Sequence, residues 1–182
     1  MTYRNVVSAV VRALAAETIN SAGGNDFEPR VQCAKQKGEI VGKEAAFLQD
    51  CWVNSRLRKS LSNAHWLALV AQYSTHAERK HEAIIVIAKA IKSPAPERFR
   101  HAAVVTWALP KLPGVEGKRS TNVLPSAWYC MDNWLDEPTA ERTQYRWKAG
   151  ICKELKGLVD SALSEAQTIL DSEGLIESNI AA

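Results

Sequence analysis

The sequence predicts an all-α protein: a helical domain with a helix-turn-helix unit near the C-terminus and extended loops between its parts. Three observations lead there. Apolar residues recur at steps of three and four through nearly every long stretch. Proline and glycine gather at a few places that cut those stretches into helix-length pieces. Only at Val104–Trp107 does a short strand compete with a helix.

Taken in order, Val6, Val7, Val10, Val11 and Leu14 define a first helix over residues 3–20, stopped by Gly23-Gly24-Asn25-Asp26. Residues 21–43 are polar and read as an extended arm. A second helix resumes near Lys43, with Ala46, Cys51 and Trp52 on its apolar face. A third fits Asn63 to Ser74, with Ser62 as N-cap and Trp66, Leu69, Val70 and Tyr73 on one side. The fourth, Ala77 to Lys92, carries Ile84, Ile85, Ile87, Ala88 and Ile91, and Ser93-Pro94-Ala95-Pro96 ends it because proline cannot continue the ladder. Residues 97–109 form the fifth helix, or the short strand just named.

Residues 110–122 hold Pro110, Pro113, Gly114 and Gly117 with Lys111, Lys118 and Arg119, and read as an exposed basic loop. Pro125 suits a first helical turn, and Trp128, Met131, Trp134 and Leu135 give a short amphipathic helix after it. Asp136-Glu137-Pro138-Thr139 supplies a turn and N-cap chemistry. In the last helix Trp147, Ile151, Leu155, Leu158, Ala162, Ala166 and Ile169 are spaced by three and four, and Gly174 stops it. Gly150 and Gly157 each cost about 1 kcal/mol against alanine and mark candidate bends. The organisation is an N-terminal helix and arm (1–43), a helical body with a basic face (44–109), the basic loop (110–122), and the helix-turn-helix with its long C-terminal helix (123–182).

The chain has 182 residues, 46% hydrophobic and 24% charged, an ordinary globular balance. No apolar run reaches the ~18 residues that span a bilayer, and the N-terminus lacks the pattern of a secretion signal, so a cytoplasmic location without membrane contact is expected. The net charge of +3 conceals a segregation: residues 51–100 carry +6 and residues 151–182 carry −4. A basic body with an acidic tail is the pattern of a polyanion-binding protein.

The four cysteines, Cys33, Cys51, Cys130 and Cys152, lack the close pairing of a zinc site or a thioredoxin-type motif. No metal or cofactor is expected, and Cys51 and Cys152 read as small core residues. Gly114-Val115-Glu116-Gly117-Lys118-Arg119-Ser120 falls short of a phosphate-binding loop, with Leu112 where a glycine belongs and Arg119 where Ser or Thr belongs. His81-Glu82 begins like a zinc-protease helix, but Ile85 stands where the second histidine is required. No serine, histidine and carboxylate form a nucleophile motif. No enzymatic activity is expected.

The better pattern is residues 125–170: a short amphipathic helix, a polar turn, and a helix opening Glu141-Arg142-Thr143-Gln144-Tyr145-Arg146-Trp147-Lys148. A recognition helix presents its first residues to the major groove and packs its apolar stripe on the preceding helix. Arg142, Thr143, Gln144, Arg146 and Lys148 have suitable chemistry: Arg and Lys for guanine, Gln for adenine, any of them for phosphate. Trp134, Trp147 and Ile151 would then be core. Residues 63–74 and 77–92 are a second candidate pair, read as core with a basic rim, whose Arg79 and Lys80 are placed to touch DNA backbone. An ordinary helical hairpin with a charged outer face is the competing reading of both pairs.

Two stretches, His65-Trp66-Leu67-Ala68-Leu69-Val70-Ala71-Gln72-Tyr73 and Glu141 to Leu170, resemble the phage Q-type transcription antitermination factors, a family that includes regulators of bacterial lysis cassettes. The second stretch is similar to that family's late helix-turn-helix, with Thr143 before a basic-aromatic helix and an Ala-rich continuation at Ser161–Ala166. The resemblance implies a protein that binds double-stranded DNA near a promoter and loads onto paused bacterial RNA polymerase, with the sigma factor a further candidate partner. It then narrows the exit channel around the nascent RNA so that terminators are read through. Lys111, Lys118 and Arg119 of the basic loop are the candidates for polymerase or RNA contact, with a connecting loop of no function as the competing reading. The zinc-binding cysteine cluster of the lambda-type branch is absent, which excludes that branch. A promoter-binding helix-turn-helix regulator and a helical adaptor that meets only protein are the alternatives.

Overall fold

The computed structural model describes residues 3–22, 37–111 and 124–176. Six α-helices carry it: α1 Val6–Ala22, α2 Lys37–Ser60, α3 Asn63–Tyr73, α4 Ala77–Ala90, α5 Glu97–Ala108 and α6 Glu141–Ser172, with two single 3-10 turns, Ser126–Tyr129 and Met131–Trp134, before α6. No strand occurs among the described residues, so 104–107 is helical. None of the helices is long and apolar enough to cross a membrane, among the described residues. Residues 23–36 of the arm, 112–122 of the basic loop with the glycine-rich Gly114–Ser120, and Cys33, Lys118 and Arg119 lie outside the described residues.

Local chemistry sets several boundaries. Asn5 Oδ1 accepts from Ser8 N at 2.8 Å and opens α1; Ser62 Oγ accepts from His65 N at 3.2 Å and opens α3. At the end of α6, Gly174 takes φ +66°, Leu175 N donates to Leu170 O and Gly174 N to Asp171 O, the two bonds of a Schellman cap. α2 begins at Lys37, six residues before the predicted Lys43, because Gly38 and Gly42 do not break it. α6 likewise runs as a continuous helix through Gly150 and Gly157.

α6, about 48 Å long at 1.5 Å per residue, is the spine of the fold. α3 and α5 pack directly on it, α4 packs on both of them, and α1 pairs with α2. Its inward side is Gln144, Ile151, Leu155, Val159, Ala162, Ala166 and Leu170; Trp147, Leu158 and Ile169 lie half a step round, at the edge of the core. In α2 the buried face is Asp50, Val53, Asn54 and Leu57 rather than the one through Trp52, which is 46% exposed. The cause is polar. Asp50 binds the Tyr3 hydroxyl at 2.7 Å and Arg12 at 3.0 Å, and Asn54 Nδ2 donates to Ala13 O at 3.0 Å, so α2 turns those two residues toward α1. Cys51 and Cys152 are half-buried at the core edge rather than inside it.

Tyr3 closes the N-terminus onto the far end of the chain. Its backbone N donates to Leu175 O at 2.7 Å, its ring lies under Arg12, and burial followed by the Asp50 carboxylate raises its phenol well above the usual range. Because the folded form holds this proton where the unfolded chain releases it, Tyr3 contributes stability that is present below pH ~10 and is lost as pH rises above it. Tyr3→Phe is expected to cost about 2 kcal/mol at neutral pH, the worth of a hydrogen bond to a charged group, and to flatten the alkaline limb of the stability curve. Urea unfolding at pH 7 and at pH 10.5 (roughly half a unit above the free phenol's pKa) reads both effects.

Candidate nucleic-acid interface

The segment expected to be the first helix of a helix-turn-helix is instead the two 3-10 turns, interrupted at Cys130. The turn before α6 also lacks the expected side-chain cap: its N-cap is Ala140. What fixes the start of α6 is Gln144. It is 3% exposed, and its Nε2 donates to Thr139 O at 3.0 Å and Asp132 Oδ1 at 3.2 Å, tying the second 3-10 turn to the helix. Gln144 is therefore a clamp in the interior, not a reader of adenine. Gln144→Ala is expected to lower stability by about 1–3 kcal/mol through loss of these bonds. Duplex affinity should stay within about twofold of wild type.

Lys148 is also drawn inward, its Nζ 5.2 Å from the centre of the Trp134 ring. Thr143 is half-buried, with its backbone N bonded to Ala140 O. Trp134 and Ile151 are core as expected, and Trp147 meets Phe99 edge-on at 5.5 Å. Arg142 and Arg146 remain exposed.

Two cations that sequence reasoning passed over complete the face. At 100° per residue, Arg142, Arg146, Lys153 and Lys156 fall within about 80° of one another, roughly opposite the buried Ile151, Leu155 and Val159. All four are exposed, and none has an ion-pair or hydrogen-bond partner among the described residues. Ala149 stands between them in that arc; the exposed Tyr145 flanks it on one side, and Gly150 and Gly157, where an added Cβ would meet nothing within 4 Å, flank it on the other. The result is a smooth cationic strip about 21 Å long, ended by Asp160. The pattern was available in the sequence as the register opposite the apolar stripe.

The +6 block at residues 51–100 fares differently. Arg56 pairs with Glu173 at 3.0 Å, Arg98 pairs with Asp136, and Arg100 Nη1 donates to Ile91 O at 3.1 Å. Lys80 reaches back to the carbonyls of Gln72 and Ser74 at the end of α3, the favourable end for a cation, and burial lowers its pKa. It caps a helix and is not an outward-facing contact. Arg79 is exposed and lines a groove with Arg58 and Asn63. α3 and α4, joined by Ser74-Thr75-His76, are the pair of full α-helices with a three-residue turn between them. Lys111 is exposed just beyond α5. No cluster of metal-ligating side chains exists among the described residues.

Fold and face together define an all-α protein that carries an unpaired cationic strip along α6. Comparison with protein families, with characterised proteins and with solved structures finds no match to this chain.

Proposed function

We propose that this protein is a transcription antitermination factor. It grips duplex DNA beside a promoter with the outer face of α6, loads onto paused RNA polymerase, and lines the exit path of the nascent RNA so that downstream terminators are read through. The observation that carries the DNA-binding step is the unpaired strip Arg142, Arg146, Lys153 and Lys156 on one rigid helix. Such a strip gains affinity by displacing counterions from phosphates, and its two arginines can also reach guanine edges.

The antitermination role rests on the resemblance to the Q-type factors. Support comes from where the two resembling stretches lie: the first is α3, the second is α6, and they are packed together with His65 Nδ1 2.6 Å from Glu165 Oε2. Lys111, Lys118 and Arg119 are the residues assigned to polymerase or RNA, and no catalytic step is assigned. In-vitro transcription from a template carrying the promoter-proximal element and a downstream terminator tests the reading. Read-through should rise with added protein. Unchanged read-through with duplex binding intact would leave a promoter-bound regulator as the correct reading.

A further inference from the structure

A second surface stands apart from α6. Two cavities, of about 400 and 460 Å³, share Arg98 and His101 on α5 and form one trough. One end is walled by the 3-10 turns, with Trp128 and Trp134, and the other reaches Lys89 on α4. The size is that of a site for a small organic group.

The wall is held rigidly. Trp134 Nε1 donates to Trp128 O at 2.8 Å, Asn133 Nδ2 to Ala127 O at 2.9 Å, and the Tyr129 hydroxyl to Leu109 O at 2.9 Å. Arg98 bridges α5 to the same turns through Asp136 and Asn133 O. These bonds leave the Trp128 indole at the mouth, 38% exposed, beside a neighbour, Trp134, that is 2% exposed. His101 is half-buried in the middle of the trough, with no hydrogen-bond partner among the described residues. The trough thus offers a fixed aromatic plane, an imidazole without a hydrogen-bond partner among the described residues and, from α4, the ammonium group of Lys89.

We propose that this trough holds a nucleotide of a single-stranded polynucleotide, with its base against Trp128 and its phosphates toward His101 and Lys89. A base stacked on an aromatic side chain beside a cation that follows the backbone is the usual chemistry of single-strand binding without sequence preference. Arg98 is paired with Asp136, and Glu97 lines the same cavity as Lys89, so stacking dominates and the salt dependence is shallow. That distinguishes the trough from the α6 strip, where the cations are unopposed and the dependence is steep. The inference does not depend on the reading of α6.

Fluorescence anisotropy with a labelled oligouridylate and a labelled oligothymidylate of about ten nucleotides, and with a DNA duplex of equal length, tests it. Trp128→Ala should weaken both single strands about tenfold, with Trp128→Phe retaining most of the affinity. His101→Ala, which removes no hydrogen bond seen in the fold, should weaken them a few-fold, and duplex affinity should be unchanged in all three. Arg142→Glu with Arg146→Glu should do the opposite, weakening the duplex and sparing the single strands. Single-strand affinity untouched by Trp128→Ala and His101→Ala would overturn the proposal, as would an equal loss toward duplex. Displacement of the strands by equimolar UMP would assign the trough to a free nucleotide and overturn the polynucleotide assignment.

Discussion

Replacing Arg142 and Arg146 together with glutamate is expected to weaken duplex binding on the order of a hundredfold near physiological salt. Each lost phosphate contact should lower the slope of log affinity against log salt by about one, and each new carboxylate adds repulsion on the same face. The fold should tolerate the change, because both side chains are exposed and neither takes part in an internal ion pair. Lys153→Ala with Lys156→Ala should lower the slope by about two more, if the four cations act as one strip. Electrophoretic mobility shifts across a salt series read all of these. A slope unchanged by the double glutamate variant would remove α6 from the interface, leaving the Arg58 and Arg79 groove as the next surface to test.

Phe99→Ala is expected to be the most damaging single substitution, costing about 3–5 kcal/mol. Phe99 is fully buried where α5, the second 3-10 turn and α6 meet, edge-on to Trp134 at 5.1 Å and to Trp147 at 5.5 Å. Removing the ring leaves a cavity and takes away both aromatic contacts, each worth about 0.5–1.5 kcal/mol beyond area. For a chain of this size the loss corresponds to a fall in Tm of roughly 10 °C. Near-ultraviolet circular dichroism should report it too, since two of the six tryptophans lose their packing partner. Phe99→Leu should recover much of the loss, because it keeps most of the volume.

The trace of sequence logic through the site is uneven, and the reasons are physical. The basic start of α6 is legible because Arg142 and Arg146 are close in the chain and flank an apolar stripe. The inward turn of Gln144 is not: its partners are a carbonyl at Thr139 and a carboxylate at Asp132, and which polar residue goes inside depends on whether such partners arrive. The same holds for Asp50, inside α2 only because Tyr3 and Arg12 come to meet it. The 3-10 turns escape sequence reasoning because their tryptophan spacing suits an amphipathic helix, whereas the Trp134 Nε1 bond to Trp128 O holds the segment as two separate turns.

The sequence by itself determined the helical class, the breaks at Pro94 and Pro96, the Ser62 cap and the Gly174 stop, because each is set by forces that act within a turn or two of chain. It also determined that charge is segregated along the chain. Only the tertiary structure decided which of those charges face outward. Four of the nine cations in the +6 block, Arg56, Lys80, Arg98 and Arg100, are engaged by carbonyls and carboxylates brought from other elements, while Arg142, Arg146, Lys153 and Lys156 are left unpaired on α6. Charge is a property of composition, but its availability to a partner depends on burial and pairing, and those are fixed only when distant parts of the chain pack.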